Sequence, residues 1–339
     1  MKIEESVKLD FRDVLIRPKR STLASRSQVN LERELTFVHS KRKWSGIPII
    51  ASNMDTVGTI EMYRELSKHK MITCFHKFIK PEDFPLDMDR NYYMISTGIS
   101  DKDYARLQQC IKLLDPYFVC VDVANGYSIK LLEFVKKVRN EYPSLTIMAG
   151  SIVTRELVEE LVINGGVDIC RVGIGSGSVC TTRIQTGVGY PQLSAVDECS
   201  DAAHGINSHM VSDGGITCAG DVAKAFGAGA DFVMCGSMFA GHDESAGDLV
   251  EENGNKYKQF YGMSSSEAMK KHYGGVAKYR SAEGKKVRVP YKGPVEETVL
   301  SLLGGIRSTL TYVGASRLKD LPKCTTFIKV NRQVNDIYN

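Results

Sequence analysis

The sequence predicts a (β/α)8 barrel, the α/β fold in which eight parallel strands close into a cylinder inside a ring of helices. Three observations carry this prediction. Short β-branched runs alternate with amphipathic helical patterns, eight such runs can be counted, and each run is almost wholly apolar. Strands of a parallel sheet are buried on both faces, and eight suit a closed barrel better than an open sheet.

The predicted strands and helices alternate along the first two thirds of the chain. Strands are predicted at residues 47–51, 72–75, 93–96, 118–121, 146–149, 169–172, 209–212 and 232–235. Helical patterns between most of them cover residues 59–69, 104–114, 129–139, 155–163 and 219–226. A strand, a helix and the next strand in this order indicate parallel pairing through crossover connections.

A set of four residues recurs at the same spacing in two places. Each set runs from a turn through a helix and a Gly-x-Asp turn into a strand that ends in glycine. The sets are Thr154, Gly166, Asp168 and Gly173, and Thr217, Gly229, Asp231 and Gly236. Two superposable units favour a repetitive barrel, and independent turns of similar chemistry are the alternative.

Two regions lie outside the eightfold count, within what we expect to be one barrel domain over residues 1–339. Residues 238–290 are polar and contain a predicted hairpin tip at 251–256. A long insertion after a barrel strand is typical of a lid or flap over the site. The C-terminal segment, residues 291–339, begins with a predicted helix at 295–303.

Composition excludes several classes of protein. A formal charge of +4 on 339 residues is too weak for a nucleic-acid or membrane-surface protein. No uncharged apolar run approaches the roughly 18 residues of a membrane helix, and the start lacks a signal peptide's apolar core. The nine cysteines form no C-x-x-C pair, which argues against disulfides and zinc. We therefore expect a cytoplasmic protein.

Small and polar residues follow the predicted strands, where a barrel places its active site. The most informative segment is 173–183, in which three alternating glycines precede Cys180. Glycines permit close backbone approach, and a cysteine on such a loop can act as a nucleophile. An incidental thiol is the alternative, and it is the better interpretation of the five cysteines that lie in or beside apolar runs.

The ends of the seventh and eighth strands suggest a phosphate site. Asp213, Gly214 and Gly215 follow the seventh strand, and Gly236 and Ser237 follow the eighth. Backbone N–H groups after these strands commonly hold phosphate, and a neighbouring carboxylate can accept bonds from ribose hydroxyls. Together they suggest a nucleoside monophosphate, with an ordinary Asp-Gly-Gly turn as the alternative.

The remaining candidates are interpreted as structural. The seven histidines show no metal-binding pattern, and only His76 lies at a strand end, next to Lys77. His204 and His209 are expected to be structural, and Trp44 is expected to pack in the core.

Five motifs together resemble the IMP dehydrogenase/GMP reductase family over nearly the whole chain. They are Ser-Asn-Met-Asp-Thr-Val (52–57), Asp-Val-Ala-Asn-Gly (122–126), Gly-Ser-Val-Cys-Thr-Thr-Arg (177–183), Thr-Gly-Val-Gly-Tyr-Pro-Gln (186–192) and Ser-Asp-Gly-Gly (212–215). The reductive branch fits better, because the short loops leave no room for the domain-sized insertion of the dehydrogenases. Segments 261–265 and 279–284 also resemble that branch.

The resemblance implies NADPH-dependent conversion of GMP to IMP and ammonia. Cys180 would attack purine carbon 2 and expel ammonia, leaving a covalent thioimidate that hydride from NADPH then reduces. Thr182, paired with Glu283 from the flap, would supply the proton to the departing amine. An alcohol alone is a poor acid near neutrality, so the carboxyl group is necessary to this role.

The resemblance also implies binding residues. For GMP they are Asp213, Gly214, Gly215, Gly236, Ser237, Gly262, Met263, Ser264, Arg280, Ser281, Ala282, Glu283 and Gly284. For NADPH they are Ser25, Arg26, Lys77, Asp122, Val123, Ala124, Ile174, Gly175, Tyr279, Ser308, Thr309, Leu310 and Thr311, with Ser25, Arg26 and 308–311 reaching across a subunit boundary. A homotetramer is implied, and a potassium ion at Gly175, Gly177, Cys180 and Arg183.

One residue departs from the family pattern, and two other functions compete with this one. Ser176 stands where relatives often have proline, and the freer unfolded chain costs ~0.4–1 kcal/mol of stability. An IMP dehydrogenase would use the same covalent intermediate with water and NAD. A non-catalytic nucleotide-binding barrel would need no thiol at Cys180.

Overall fold

The computed structural model describes residues 1–331, and its centre is a closed eight-stranded parallel barrel, as the sequence predicts. The strands are β1 (Val14–Ile16), β2 (Arg33–Thr36), β3 (Lys43–Gly46), β4 (Ile49–Ala51), β5 (Ile72–Phe75), β6 (Tyr93–Thr97), β7 (Phe118–Asp122), β8 (Thr146–Ile152), β9 (Ile169–Val172), β10 (His209–Asp213), β11 (Phe232–Cys235), β12 (Leu249–Glu252), β13 (Asn255–Tyr261), β14 (Lys286–Pro290) and β15 (Phe327–Lys329). The part of the predicted C-terminal segment beyond residue 331 lies outside the described residues.

The barrel consists of β4 to β11 in chain order, and β11 closes it by pairing in parallel with β4. All eight predicted strands are present, and their ends agree with the prediction to within a few residues. The predicted strand 47–51 starts later, at Ile49, because Pro48 has no N–H to donate to a ladder.

Ten α-helices lie in residues 1–331, and most of them surround the barrel, whereas the fifth directly follows Cys180 and the eighth belongs to the insertion after β11. They are α1 (Ile60–Leu66), α2 (Asp101–Leu114), α3 (Ile129–Glu141), α4 (Arg155–Glu159), α5 (Thr182–Thr186), α6 (Gln192–Gly205), α7 (Ala219–Gly227), α8 (Ser266–Tyr273), α9 (Val295–Val313) and α10 (Leu321–Cys324). Between β5 and β6 only a 3₁₀ turn, Pro81–Asp83, takes the place of a helix. After β11, α9 completes the ring by packing against α7 and α1.

Helix α9 is longer than predicted, since it runs past residue 303 to Val313. The prediction of an end at 303 was wrong because Gly304 and Gly305 do not break the helix. A Cβ at Gly305 would lie 2.6 Å from the Cβ of Ala219. The glycine therefore serves close packing of α9 against α7, which tertiary contact alone can reveal.

Two hydrophobic cores fill the molecule. One lies between the barrel and its helices, and the other fills the barrel interior. The hairpin of β2 and β3 closes the amino-terminal end of the barrel, where Phe37 packs edge-on to Phe118 and Trp44 packs on Phe232. Trp44 is therefore a packing residue, as expected.

The repeated residue set occupies equivalent places in the barrel. Asp168 precedes β9 and accepts a hydrogen bond from the Ile147 N–H on the neighbouring strand (3.1 Å). Asp231 precedes β11 and accepts one from the Met210 N–H in the same way (3.1 Å). Both carboxylates are buried at the amino-terminal end of the barrel, far from the strand ends where the candidate site lies.

The insertion after β11 forms a flap. Strands β12, β13 and β14 make an antiparallel sheet, and α8 lies between β13 and β14. The predicted hairpin tip is present, with Asn253 and Gly254 at φ 53° and φ 77°. Positive φ at two consecutive residues is the conformation that an Asn-Gly hairpin turn requires.

Candidate active site

A cavity of about 380 Å³ lies at the carboxyl ends of the barrel strands, beneath the flap. All three predicted catalytic residues line it. So do ten of the predicted nucleotide-binding residues, Asp213, Gly214, Gly215, Gly236, Ser237, Gly262, Met263, Ser264, Arg280 and Glu283. Ser281, Ala282 and Gly284 are not among the lining residues.

The loop after β9 carries Cys180 into this cavity. The chain passes so close to β10 that a Cβ at Gly173 would lie 1.9 Å from the Asp213 carbonyl oxygen. Only glycine fits there, because a side chain would overlap the backbone. The Cys180 N–H then donates to the Gly177 carbonyl oxygen (3.0 Å), which turns the loop back towards the cavity.

The thiol, a hydroxyl and a carboxyl group form a chain of hydrogen bonds. The Cys180 Sγ lies 3.2 Å from the Thr182 Oγ1, and that hydroxyl donates to the Glu283 Oε2 over 2.8 Å. Cys180 is half-buried, so a ligand in the cavity can still reach the sulfur. A thiol that could act as a nucleophile and a hydroxyl–carboxyl pair that could transfer a proton therefore meet at one wall.

Backbone pairing brings the distant Glu283 to the cysteine loop. The Thr181 N–H donates to the Glu283 carbonyl oxygen (2.9 Å), and the Glu283 N–H donates to the Ser264 carbonyl oxygen (3.0 Å). Next along the chain, the Lys285 N–H donates to the Val179 carbonyl oxygen (2.9 Å). Main-chain hydrogen bonds to both the cysteine loop and the flap therefore hold the backbone of Glu283, which carries the carboxyl group.

Ser176 ties the cysteine loop to the predicted phosphate loop. Its hydroxyl donates to Gln192 Oε1 (2.7 Å), and its carbonyl oxygen accepts the Gly215 N–H (2.9 Å). A Cβ at Gly214, whose φ is +102°, would lie 2.3 Å from the Ser176 Oγ. Gln192 is fully buried and donates in turn to the Val172 carbonyl oxygen (2.8 Å). The departure from the family pattern is thus accommodated by a buried network.

Arg171 is a site residue that the sequence analysis missed. Its guanidinium pairs with Asp122, and its Nη2 lies 2.8 Å from the Asp213 Oδ2. Asn53 donates to the other Asp122 oxygen (2.7 Å). Burial alone would raise the pKa of Asp122, but the Arg171 charge and hydrogen bonds hold that pKa below its ordinary value. The available signal was an arginine inside an apolar strand.

Two residues after β5 have shifted pKa values. Burial lowers the pKa of His76 to about 4, so the ring is neutral near pH 7, and its Nδ1 accepts the Phe78 N–H (3.2 Å). For Lys77, burial would lower the pKa, but Asp103, with an oxygen 3.4 Å from the ammonium, raises the pKa above its ordinary value. Lys77 therefore brings a positive charge to the cavity wall.

The predicted cofactor residues fall into two groups. Lys77, Asp122, Ala124, Ile174 and Gly175 line the main cavity. A second cavity of about 370 Å³, open at the surface, is lined by Leu23, Ala24, Ser25, Arg26 and Thr311, of which Ala24, Ser25 and Arg26 are exposed. Within one chain the two cavities have no lining residue in common.

The other predicted cofactor residues, which line neither cavity, are Val123, Tyr279, Ser308, Thr309 and Leu310. Tyr279 is 93% exposed and does not line the main cavity, and Val123 does not line it either. On α9, the Leu310 side chain is fully buried in the core, whereas the hydroxyls of Ser308 and Thr309 bond to helix carbonyl oxygens. Any contact of Leu310 with a ligand would have to come from its backbone.

The loop predicted to hold potassium offers carbonyl oxygens of Gly175, Gly177 and Cys180, the hard ligand type that a monovalent cation takes. The Gly177 oxygen keeps one lone pair after accepting the Cys180 N–H. The Arg183 guanidinium bonds to Asp10 (3.1 Å) and to the Tyr190 carbonyl oxygen (2.7 Å). Its stem packs against Gly175, so it braces the loop.

Residues 1–331 contain neither a membrane-spanning helix nor a cluster of metal ligands. No helix there combines the length and the apolar character needed to cross a membrane. Over the same residues, no three His, Cys, Asp or Glu side chains cluster as a metal site would require.

Comparison with known proteins assigns the chain to a family. The family model for the IMP dehydrogenase / GMP reductase domain matches residues 8–335. A protein of Phytophthora infestans named GMP reductase is 60% identical over 343 residues, which cover 99% of this chain and 94% of that protein. Proteins of the same name from Shigella boydii and Photobacterium profundum are 58% and 56% identical, each covering 100% of this chain and 99% of the relative. The chain belongs to the IMP dehydrogenase/GMP reductase family.

Proposed function

We propose that the protein is a GMP reductase, which converts GMP to IMP and ammonia with NADPH as reductant. The hydrogen-bonded series of Cys180, Thr182 and Glu283 at the wall of a strand-end cavity carries the proposal. Relatives at 56–60% identity over the full chain bear that name.

In the first half of the reaction, the sulfur of Cys180 adds to purine carbon 2, and the thiol proton passes through the Thr182 hydroxyl to the Glu283 carboxylate. The bond from that carbon to the exocyclic nitrogen then breaks, and ammonia leaves. Thr182 passes a proton to the departing nitrogen, and the Glu283 carboxyl group, 2.8 Å from the Thr182 hydroxyl, replaces that proton. The purine is left joined to sulfur as a thioimidate.

NADPH, when bound, supplies the hydride that reduces carbon 2. The carbon–sulfur bond then breaks with its electron pair returning to Cys180, and IMP is released. Over the cycle one hydride and one proton are consumed for each amino group lost as ammonia. The half-buried position of the sulfur supports this chemistry, since the covalent purine must remain accessible to a second reactant.

The nucleotide would bind across the strand ends. Asp213 would accept bonds from ribose hydroxyls, and the pairing with Arg171 holds its carboxylate in place for them. Backbone N–H groups of Gly214, Gly215 and Gly236, with the Ser237 hydroxyl, would hold the phosphate. The flap residues Gly262, Met263, Ser264 and Arg280 to Gly284 would cover the base and phosphate.

The cofactor would lie against Lys77, Asp122, Ala124, Ile174 and Gly175, and the exposed Tyr279 would contact it from outside the cavity wall. Arg26, in the second cavity with Ser25 and Thr311, offers a partner for the extra phosphate that distinguishes NADPH from NADH. The two cavities have no lining residue in common, and we propose that two chains contribute to one cofactor site. The family resemblance implies a homotetramer, in which Ser25, Arg26 and residues 308–311 would complete a neighbour's site.

A potassium ion on the carbonyl oxygens of Gly175, Gly177 and Cys180, next to Arg183, would stiffen the loop that carries the nucleophile. Hydrogen exchange of the amides in 174–181 should slow as KCl replaces a non-binding salt at constant ionic strength. Equal protection in both salts would refute the ion site.

The reaction consumes and releases diffusible nucleotides, so we place the protein in the cytoplasm.

The direct test follows the absorbance of the reduced cofactor after the protein is mixed with GMP and NADPH. We expect a steady fall and an equal amount of ammonia. Turnover only with IMP and NAD would identify an IMP dehydrogenase. Binding of GMP without turnover of either pair would identify a non-catalytic nucleotide-binding barrel.

A further inference from the structure

A buried carboxylate outside the catalytic series joins the barrel to the flap. Asp55, in the loop after β4, is only 3% exposed. Its Oδ2 accepts hydrogen bonds from Tyr261 (2.8 Å), Lys271 (3.0 Å) and His272 (2.6 Å). Burial alone would raise the pKa of Asp55, but these donors hold the pKa below its ordinary value, so the group is charged.

Two of these donors belong to the flap helix α8, and the same helix also contacts the loop after β5. The His272 ring stacks on Phe78, with centroids 3.5 Å apart and planes 5° from parallel. Tyr273 meets Phe78 edge-on at 5.9 Å, and the Lys77 ammonium lies 5.8 Å from the centre of the Tyr273 ring. The last turn of α8 is therefore attached to two neighbouring strand-end loops.

The residues joined in this way form part of the cavity wall. Lys77, Phe78, Met269 and Tyr273 all line the main cavity, and Met269 and Tyr273 are on α8. Lys77 is also the lysine assigned above to the cofactor. The position of α8 therefore decides the shape of the cavity next to the proposed nicotinamide cofactor.

Helix α8 would be at most marginally stable without contacts to the rest of the protein. It has eight residues, and isolated helices of this length are marginal in water. Among its residues only Ala268 and Met269 are buried. Charge-assisted hydrogen bonds to a desolvated carboxylate are stronger than neutral ones, so the Asp55 contacts are well suited to hold α8 in place.

We infer that Asp55 is a positioning residue, which clamps helix α8 to the barrel and thereby forms the cofactor side of the active-site cavity. The inference rests on the proposed function only for the identity of the cofactor. The clamp itself consists of the contacts of Asp55 with Tyr261, Lys271 and His272.

Three variants test the clamp in the full-length protein. Asp55→Asn keeps the shape and removes the charge, and Lys271→Ala removes one donor whose side chain is half-exposed, so folding is not at risk. Lys270→Ala is the matched control, because it removes the same charge from the neighbouring exposed position of α8. The first readout is hydrogen exchange of the α8 amides in the protein without ligand.

We expect exchange in α8 to accelerate about tenfold or more in Asp55→Asn, and less in Lys271→Ala, because charged hydrogen bonds are lost. Exchange in Lys270→Ala should match that of the unaltered protein. In turnover, KM for NADPH should rise about tenfold in Asp55→Asn, while the Kd for GMP changes by less than about threefold.

Unchanged α8 exchange in a folded Asp55→Asn protein would overturn the clamp. So would equal effects of Lys270→Ala and Lys271→Ala. If Asp55→Asn fails to fold, the comparison of the two lysine variants decides alone. Absence of GMP reduction by the unaltered protein would refute the proposed function and leave the exchange test intact. A larger loss of GMP affinity than of NADPH affinity would show that the clamp does not form the cofactor side of the cavity.

Discussion

At the scale of single residues, burial separates Cys180 from most other cysteines. Burial raises the pKa of Cys170 to about 12, and it also raises the pKa values of Cys74, Cys199 and Cys235 above the ordinary range. Such thiols stay protonated and are poor nucleophiles. Cys180 is half-buried, lines the cavity and lies beside a hydroxyl linked to a carboxyl group.

Replacing Cys180 with alanine should abolish reduction of GMP while GMP binding survives. Without the sulfur no covalent intermediate can form, yet the residues proposed to hold ribose and phosphate are untouched. Loss of NADPH absorbance measures turnover, and calorimetric titration measures binding. Residual turnover above one hundredth of the unaltered rate would contradict the nucleophile assignment, since covalent catalysis contributes more than about 10²-fold.

Replacing Glu283 with glutamine should cripple deamination much more than binding. The amide preserves shape, and the main-chain bonds to Thr181 and Ser264 remain, but the side chain can no longer pass a proton to Thr182. We expect kcat to fall by about 10²–10⁴. The Kd for GMP is measured on the same preparation, and equal losses in kcat and affinity would indicate a binding role instead.

Replacing Ser176 with alanine should destabilise the protein by about 1 kcal/mol, the usual contribution of one buried hydrogen bond. The variant leaves the Gln192 oxygen without its 2.7 Å partner. Urea denaturation measures the change, and Ser178→Ala, at an exposed position of the same loop, is the control. Equal midpoints for the two variants would show that the Ser176 bond adds no net stability.

At the scale of elements, glycines in α9 have different roles that a sequence alone cannot separate. Gly304 has no atom within 4 Å of its Cβ position, whereas Gly305 faces the Cβ of Ala219 at 2.6 Å. Both lie inside a 19-residue helix. A helix of this length tolerates such residues because its apolar face is buried against the barrel and α7.

The pair Gly304→Ala and Gly305→Ala should therefore change stability in opposite directions. Alanine at 304 should stabilise the protein by up to about 1 kcal/mol through helix propensity. Alanine at 305 should destabilise it by about 1–3 kcal/mol, because α9 must move away from α7. Thermal unfolding of the two variants measures both, and a gain in stability from Gly305→Ala would show that the helices separate at no cost.

The flap shows the limit of local pattern at this scale. The Asn-Gly hairpin was predicted because its turn chemistry is local, but α8 and β14 of the flap were not. Helix α8 is short and mostly polar, so its periodicity is weak. It is held in place by Asp55, a residue more than 200 positions earlier in the chain.

At the scale of the whole molecule, the candidate active site and the buried charge clusters lie at opposite ends of the barrel. The cavity lies at the carboxyl ends of the strands, and the buried charge clusters around Asp168 and Asp231 lie at the amino ends. The cluster at Asp231 includes Arg33 (3.6 Å), His204 (2.9 Å) and His209 (3.4 Å). It connects the β2–β3 hairpin, α6 and two barrel strands.

This cluster should make stability depend on pH on the acid side. Burial would raise the pKa of Asp231, but hydrogen bonds and charges from His204 and His209 hold that pKa far below the ordinary value. The unfolded chain then binds the proton more readily than the folded one, so on the acid side the stabilisation is lost progressively below about pH 5.

Replacing Asp231 with asparagine should destabilise the protein by about 3 kcal/mol near pH 7, because the partner charges lose their buried carboxylate. The difference from the unaltered protein should shrink as pH falls from about 5 to 2. Denaturant unfolding across that range measures it. A difference that stays constant down to pH 2 would show that the carboxylate charge does not contribute.

The sequence by itself determined the barrel, the cysteine loop and the family, because each depends on local pattern. Eight apolar runs specify buried parallel strands, and alternating glycines before Cys180 specify a tight loop. The proposed catalytic pair of Thr182 and Glu283 came from the family resemblance, and the structure places the two side chains 2.8 Å apart.

Only the tertiary structure decided which distant residues meet. Arg171 between Asp122 and Asp213, Ser176 on Gln192, and Asp55 beneath α8 join segments far apart in the chain. Their pairing energies arise from burial, which removes competing water and strengthens each charge interaction. Burial of these polar side chains is a property of the assembled barrel, and no local pattern in the chain shows which of them will meet.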